Sequence, residues 1–466
     1  MSILKKILGN NKINVNLDEI KQKLNNCSTM RTEIEFVKGV GSNSSSPTDT
    51  YVLNIKQDTI NERLKQNNQF FMKLFVVNLD KHYNNETLSY EQEIYRFTNK
   101  LLKQGNTRNL VPLVAHSKEC TFNDICMMLS NKEGCADDIR QQLLFNLSAI
   151  ASATVCSDAH FYNHKLPDRK AITSNKNKTN DIQKLMKADK EYFKQCAYSM
   201  NKTPEEFFDI ISNFELGFIM TKSAQGTGSF YDFLTSKIAT DDEMIQYIFQ
   251  IFYTIHEFQL QGLNHNDLHL GNILMDQRWP SELQIALYVT STGKVVVIKT
   301  NEVPRIFDYD RSTMKNFPNK LEDWLIPYGQ VNKFSPQRDF LKIGCELLTQ
   351  FSHFTMSNKY PKSYLAVKNS LELIPDSIES ERTKTGNCFL TQSDYTSLLA
   401  DDVWMNNNIR KTIDIVNILG KYADSGPCNV NDFTAQTSSK IKLKKNIYFA
   451  SDKGEKDQLF KILKIS

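Results

Sequence analysis

The chain has 466 residues, 40% hydrophobic and 24% charged, which suits a globular protein of one large two-lobed domain or two to three smaller ones around a sizeable core. A net charge of +4 is too small a bias to argue for a nucleic-acid partner. No apolar run reaches the ~20 residues of a spanning helix, so the expectation is a soluble protein without a membrane span.

Residues 1–30 read as an N-terminal extension. Ile3, Leu4, Ile7 and Leu8 beside Lys5 and Lys6 form too short an apolar stretch for a signal peptide, and Ser2 after Met1 removes the myristoylation pattern. From 31 to 56 the pattern is strand, loop, strand. Ile34, Phe36 and Val37 lead into Gly39-Val40-Gly41-Ser42, and Tyr51 to Ile55 follows a polar stretch. Phe70 to Val77 is an apolar run broken only by Lys73 and predicts a further strand. Tyr90, Ile94, Phe97 and Leu101 recur at near-helical spacing within 88–103. A short strand is expected at Asn109–His116.

Residues 125–212 read as a large insert with helical stretches around a polar loop near 174–184. Leu216–Thr221 predicts a strand, and Gly226 and Gly228 a turn. Thr240 with Glu243 forms a capping box that opens a helix running to Gln261. Met244, Ile245, Ile248, Ile251, Phe252 and Ile255 give it one apolar face, and Gly262 is placed to stop it. Lys294–Ile298 and Pro304–Phe307 are short β-like runs, and beyond 338 the pattern is mainly helical. The basic tail around Lys440–Phe449 reads as a solvated charge run.

Nine cysteines are scattered from Cys27 to Cys428 with no CxxC pair, which implies reduced thiols and a cytoplasmic setting. Cys156, His160 and His164 have a loosely metal-like spacing, read here as unrelated side chains.

The chemistry concentrates in His265-Asn266-Asp267-Leu268-His269-Leu270-Gly271-Asn272, followed at a distance by Ile306-Phe307-Asp308-Tyr309-Asp310. Phosphoryl transfer needs a carboxylate to accept the proton of the nucleophilic hydroxyl. It also needs hard oxygen ligands for the magnesium that bridges the phosphates. An Asp with an Asn five residues later, and a second Asp after a hairpin, answers both needs.

These residues resemble the catalytic loop of the protein-kinase-like superfamily. The resemblance implies an α+β, bilobal protein-kinase-like fold. A small β-rich N-lobe would span 31–222 and carry the insert, and a mainly helical C-lobe would span 223–466. ATP and Mg are the implied cofactors. By the same resemblance Asp267 is the catalytic base, while Asn272 and Asp308 are metal ligands. Lys73 faces the α- and β-phosphates with Glu91 as its partner, although Glu93 competes for that place. Gly39 and Gly41 stand at the phosphate loop, where the third glycine of the pattern is missing. Met220 takes the gatekeeper place, and backbone near Thr221 and Ser223 meets adenine. Asp339 to Gly344 matches the D-x-x-x-x-G helix that braces the catalytic loop.

The departures carry information. Asn266 replaces the arginine that receives a phosphorylated activation loop, which suggests activity without that switch. His269 replaces the lysine common in Ser/Thr kinases, and Asp308-Tyr309-Asp310 replaces D-F-G. The D-L-H-x-G-N form is similar to haspin-type kinases and to aminoglycoside and choline kinases. The texture of the insert is similar to divergent kinases of large DNA viruses, which would set the chain in host cytoplasm or a virion. The reading is a Ser/Thr protein kinase with a protein substrate. The alternatives are a small-molecule kinase of the aminoglycoside or choline type and a pseudokinase scaffold. An insert that precedes the nucleotide hinge favours protein substrates. Oligomeric state is left open.

Overall fold

The computed structural model describes residues 24–40, 49–55, 69–76, 84–130, 215–222, 228–236, 238–277, 284–290, 295–300, 302–317, 338–352, 354–370, 412–424 and 447–448, with isolated positions between 143 and 213. Residues 1–23, Gly41, Ser42, Ser223, most of the 125–212 insert and its Cys156, His160 and His164 lie outside them. Over the described residues the chain is mixed α+β, built of small antiparallel sheets and helices. It forms two compact units. One comprises 1–92 and 113–223, the other 93–112 and 224–466.

The first unit opens with α1 (Cys27–Glu33), capped by Asn26, whose side chain accepts from Ser28 N at 3.0 Å. Strands β1 (Ile34–Val40), β2 (Asp49–Ile55) and β3 (Gln69–Val76) follow. In β3 the strand period is visible. Phe70, Met72 and Leu74 are buried, while Phe71 and Lys73 between them are half-buried. Helix α2 (Asn84–Gln104) begins in this unit and ends in the other. Then come β4 (Leu113–Cys120), α3 (Phe122–Ser130) and β5 (Leu216–Lys222). The sheet order is β1-β2-β3-β5-β4, all antiparallel, and β5 is buried along its whole length.

Two expectations are corrected here. The strand expected at Asn109–His116 starts only at Leu113. Asn109 O instead accepts from Ile306 N at 2.9 Å and Val111 N donates to Ile306 O at 3.1 Å, so these residues pair within the second unit. The thiols are not all reduced. Cys27 of α1 and Cys120 at the end of β4 form a disulfide with Cα atoms 5.4 Å apart. Their separation of 93 residues hides that pairing from any spacing rule.

In the second unit β6 (Gly228–Ser229) and α4 (Phe230–Ser236) lead into α5 (Asp241–Leu260). Both halves of the capping box form, with Glu243 N donating to Thr240 Oγ1 and Thr240 N donating to Glu243 Oε2. Gly262 ends the helix at φ +73°, a conformation open to glycine at little cost. The helix is buried all round from Met244 to Gln259, not on one face. Several of its polar side chains find partners inside, while both side-chain polar atoms of Gln259 do not. Gln250 Oε1 accepts from Asn109 Nδ2 and Tyr288 OH, Thr254 pairs with Thr107, His256 with Thr412, and Glu257 with Asn106.

Then follow β7 (Leu263–Asn264), a 3-10 turn (Leu270–Asn272) and strands β8 (Ile273–Gln277), β9 (Gln284–Val289), β10 (Val295–Thr300), β11 (Glu302–Ile306) and β12 (Thr313–Met314). Helices α6 (Arg338–Ser352), α7 (Phe354–Lys359), α8 (Pro361–Ser370) and α9 (Thr412–Ala423) complete the packing. The basic tail is more than a charge run, because β13 (Ile447–Tyr448) pairs with Leu287 and Ala286 of β9. No described helix is long and apolar enough to cross a membrane.

Candidate functional site

In the first unit the alternation of β3 leaves Lys73 half-buried rather than in the core. Its Nζ lies 3.2 and 3.3 Å from the two carboxylate oxygens of Glu91, which is wholly buried on α2. The competing Glu93 turns outward and pairs with Arg96. Register places Met220 of β5 between Met72 and Ala115, and Thr221 between Phe71 and Leu113, both buried. Gly39 lies in β1 opposite Tyr51, and its neighbour Gly41 is outside the described residues, as is Ser223.

In the second unit the loop after α5 is held from two sides. Asp339, in the first turn of α6, accepts from His265 N at 2.8 Å, Asn266 N at 2.9 Å and Asn264 Nδ2 at 3.3 Å. Asn266 sits at φ +64°, a region that asparagine tolerates better than most residues. Its Nδ2 donates to Arg311 O and Thr313 Oγ1 at 2.9 and 3.0 Å. The residue that stands in the arginine's place therefore ties the loop directly to the segment after Asp308. His265 Nε2 lies 2.8 Å from Phe307 O and must carry the proton, since a carbonyl only accepts. The ring also packs against Tyr309.

Strand pairing brings the two motifs together. In the β8–β11 register Ile273 faces Ile306, so Asn272 and Phe307 are the next opposed pair. Phe307 N indeed donates to Asn272 O at 3.2 Å. Asp308 follows at φ +68°, its N–H reaching Tyr95 OH at 3.4 Å. Tyr309 is buried, edge-on to Tyr95, and donates to Ile306 O. Asn272 Nδ2 donates to Asp267 O at 3.0 Å, and its Oδ1 is an acceptor that this bond does not use.

Asp267 carries two cations. Lys342 Nζ lies 2.7 Å from Oδ1, and Arg311 Nη1 lies 3.2 Å from Oδ2. Burial alone would raise its pKa; Lys342 and Arg311 overcome that and hold the carboxyl below the usual range. Burial lowers the His269 pKa against the opposing pull of Asp267. Glu346, one turn beyond Lys342, accepts from Leu270 N at 2.8 Å. The motif reading missed Lys342, Glu346, Arg311 and Tyr95. Spacing could have found two of them, since 339, 342 and 346 lie on one face of a helix already read as a brace.

No protein-family model and no curated protein sequence matches this chain.

Whether magnesium suits these residues can be tested on the donors. Asn272 and Asp308 offer oxygen only, the hard donors that Mg²⁺ prefers. Among the described residues no three His, Cys, Asp or Glu side chains cluster as a dedicated cage. Mg²⁺ takes one or two protein carboxylates and completes its shell with phosphate and water, so a two-residue donor set fits.

Proposed function

We propose that this chain is a divergent member of the protein-kinase-like superfamily, with its bilobal fold. In this reading it is an ATP- and Mg-dependent phosphotransferase that moves the γ-phosphate to a protein hydroxyl. One observation carries the reading. The β8–β11 pairing sets Asn272 beside the Phe307–Asp308 step, while Asn272 Nδ2 holds the backbone of Asp267. A carboxylate base and two hard-oxygen ligands are thereby supplied from one strand-pair end, as phosphoryl transfer needs. In the other unit, the buried Glu91 steadies Lys73, the cation that the family directs at phosphates.

In this reading Asp267 accepts the proton of the acceptor hydroxyl as that oxygen attacks phosphorus. Its carboxylate is ionised at neutral pH, as a base must be. Asn272 and Asp308 would hold magnesium, which when bound offsets phosphate charge and orients the transferred group. The insert ahead of β5, not after it, favours a protein acceptor over a small one.

The test uses labelled ATP with magnesium and either the chain itself or a generic protein such as casein. Asp267→Asn should lower turnover by about 10²-fold or more. Asp308→Ala should remove most of the activity and raise the magnesium concentration that the remainder needs. Full activity in Asp308→Ala would refute the metal assignment. A melting temperature raised by ATP without any transfer would instead mark a binding protein. Proteins compared with amino-sugars and choline as acceptors decide the substrate class.

A further inference from the structure

Helix α6 grips the catalytic loop with three side chains from one face. Asp339 takes the N–H groups of His265 and Asn266, and Glu346 takes that of Leu270. Both hold main chain. Lys342, between them, is different. Its ammonium donates to Asn266 O at 3.2 Å and to Asp267 Oδ1 at 2.7 Å, so it bridges the backbone and the next residue's carboxylate. That chelate ties the Asp267 carboxylate to the main chain of its own loop.

The loop has no cation of its own for this task. His269 Nδ1 accepts the N–H of Gly271 at 3.1 Å, so that nitrogen bears no proton and the ring is neutral. Arg311 does reach Asp267, but on Oδ2 and at the longer distance of 3.2 Å. Lys342 has the shorter contact and a second anchor on the main chain. Reacting groups must sit within fractions of an ångström of their productive positions.

We propose that Lys342 is the positioning residue of the transfer, holding Asp267 by Oδ1 so that Oδ2 faces the acceptor hydroxyl. This rests on the phosphotransferase reading above. The acceptor displaces Arg311 from Oδ2. Its oxygen bonds to the γ-phosphorus while the bond from that phosphorus to the β–γ bridging oxygen breaks. The electron pair leaves with ADP, the acceptor proton passes to Asp267 Oδ2, and Lys342 stays protonated throughout.

The experiment compares wild type, Lys342→Met and Lys342→Arg in the full chain. Lys342→Met should lower kcat about 10²-fold, as misplacement of a catalytic group does, with MgATP affinity by calorimetry unchanged. Lys342→Arg keeps the charge and should recover part of the loss. A readout independent of turnover is acylation of the Lys342 amine followed by peptide mass spectrometry. Acylation should run severalfold faster in Asp267→Asn, where the carboxylate partner is gone. Wild-type kcat in Lys342→Met overturns the inference alone, as does equal acylation in wild type and Asp267→Asn. A loss that Lys342→Arg does not lessen also overturns it. A wild type that transfers phosphate to no acceptor overturns the phosphotransferase reading itself, and this inference with it.

Discussion

Asn266 holds the left-handed conformation at φ +64° while its N–H donates to Asp339 Oδ1 at 2.9 Å. Its side chain adds bonds to Arg311 O and Thr313 Oγ1. Two costs can therefore be separated. Asn266→Gly loses the two side-chain bonds but keeps the backbone angle. Asn266→Ala loses the same bonds and adds a left-handed penalty of about 1 kcal/mol. Urea unfolding should rank wild type above Asn266→Gly and Asn266→Gly above Asn266→Ala.

The Lys73–Glu91 pair joins a carboxylate with no exposure to an amine whose side chain is 17% exposed. Lys73→Met strands that buried charge and should cost about 3–5 kcal/mol. Adding Glu91→Leu removes the stranded charge and should restore most of the stability. In the phosphotransferase reading neither variant should transfer phosphate, because both lack the cation proposed to face the phosphates. Chemical denaturation and a transfer assay on the same preparations give both answers.

Burial, with Glu243 nearby as a lesser cause, pushes the Glu302 pKa from 4.5 to about 7. A carboxyl with a raised folded pKa binds more protons folded than unfolded between those values. Its contribution is full below pH 4.5 and is lost as pH rises through about 7. Glu302→Gln, which stays neutral, should match wild type near pH 4.5 and melt higher at pH 8. Calorimetric scans of both proteins across that range measure the divergence.

The Cys27–Cys120 disulfide closes a loop of 93 residues, for which chain entropy suggests a stabilisation of roughly 2–5 kcal/mol. Dithiothreitol should lower the melting temperature of the wild type. The double Cys27→Ala, Cys120→Ala variant should melt low already and lose less on adding the reductant than the wild type does, with Cys126 still disulfide-bonded. Intact peptide mapping without reduction should recover the two cysteines in one linked species.

What the sequence determined by itself was local. The capping box at Thr240 and Glu243, the stop at Gly262 and the strand at Lys73 are each set within a few residues, by hydrogen bonds or by side-chain period. The order of Asp267, Asn272 and Asp308 was legible for the same reason, since a motif is a local string. What the tertiary structure decided was pairing at a distance. Whether Lys73 meets Glu91 or Glu93 depends on which face of α2 is buried, and both carboxylates look alike in the string. Gln250 and Thr254 of α5 find their buried partners only when Asn109, Thr107 and Tyr288 arrive from elsewhere in the chain. Cys27 with Cys120, and Ile447–Tyr448 against β9, join segments that no periodicity links. Lys342 is the clearest case. Its position in α6 was plain, but its hold on Asp267 exists only once the helix is packed beneath the loop.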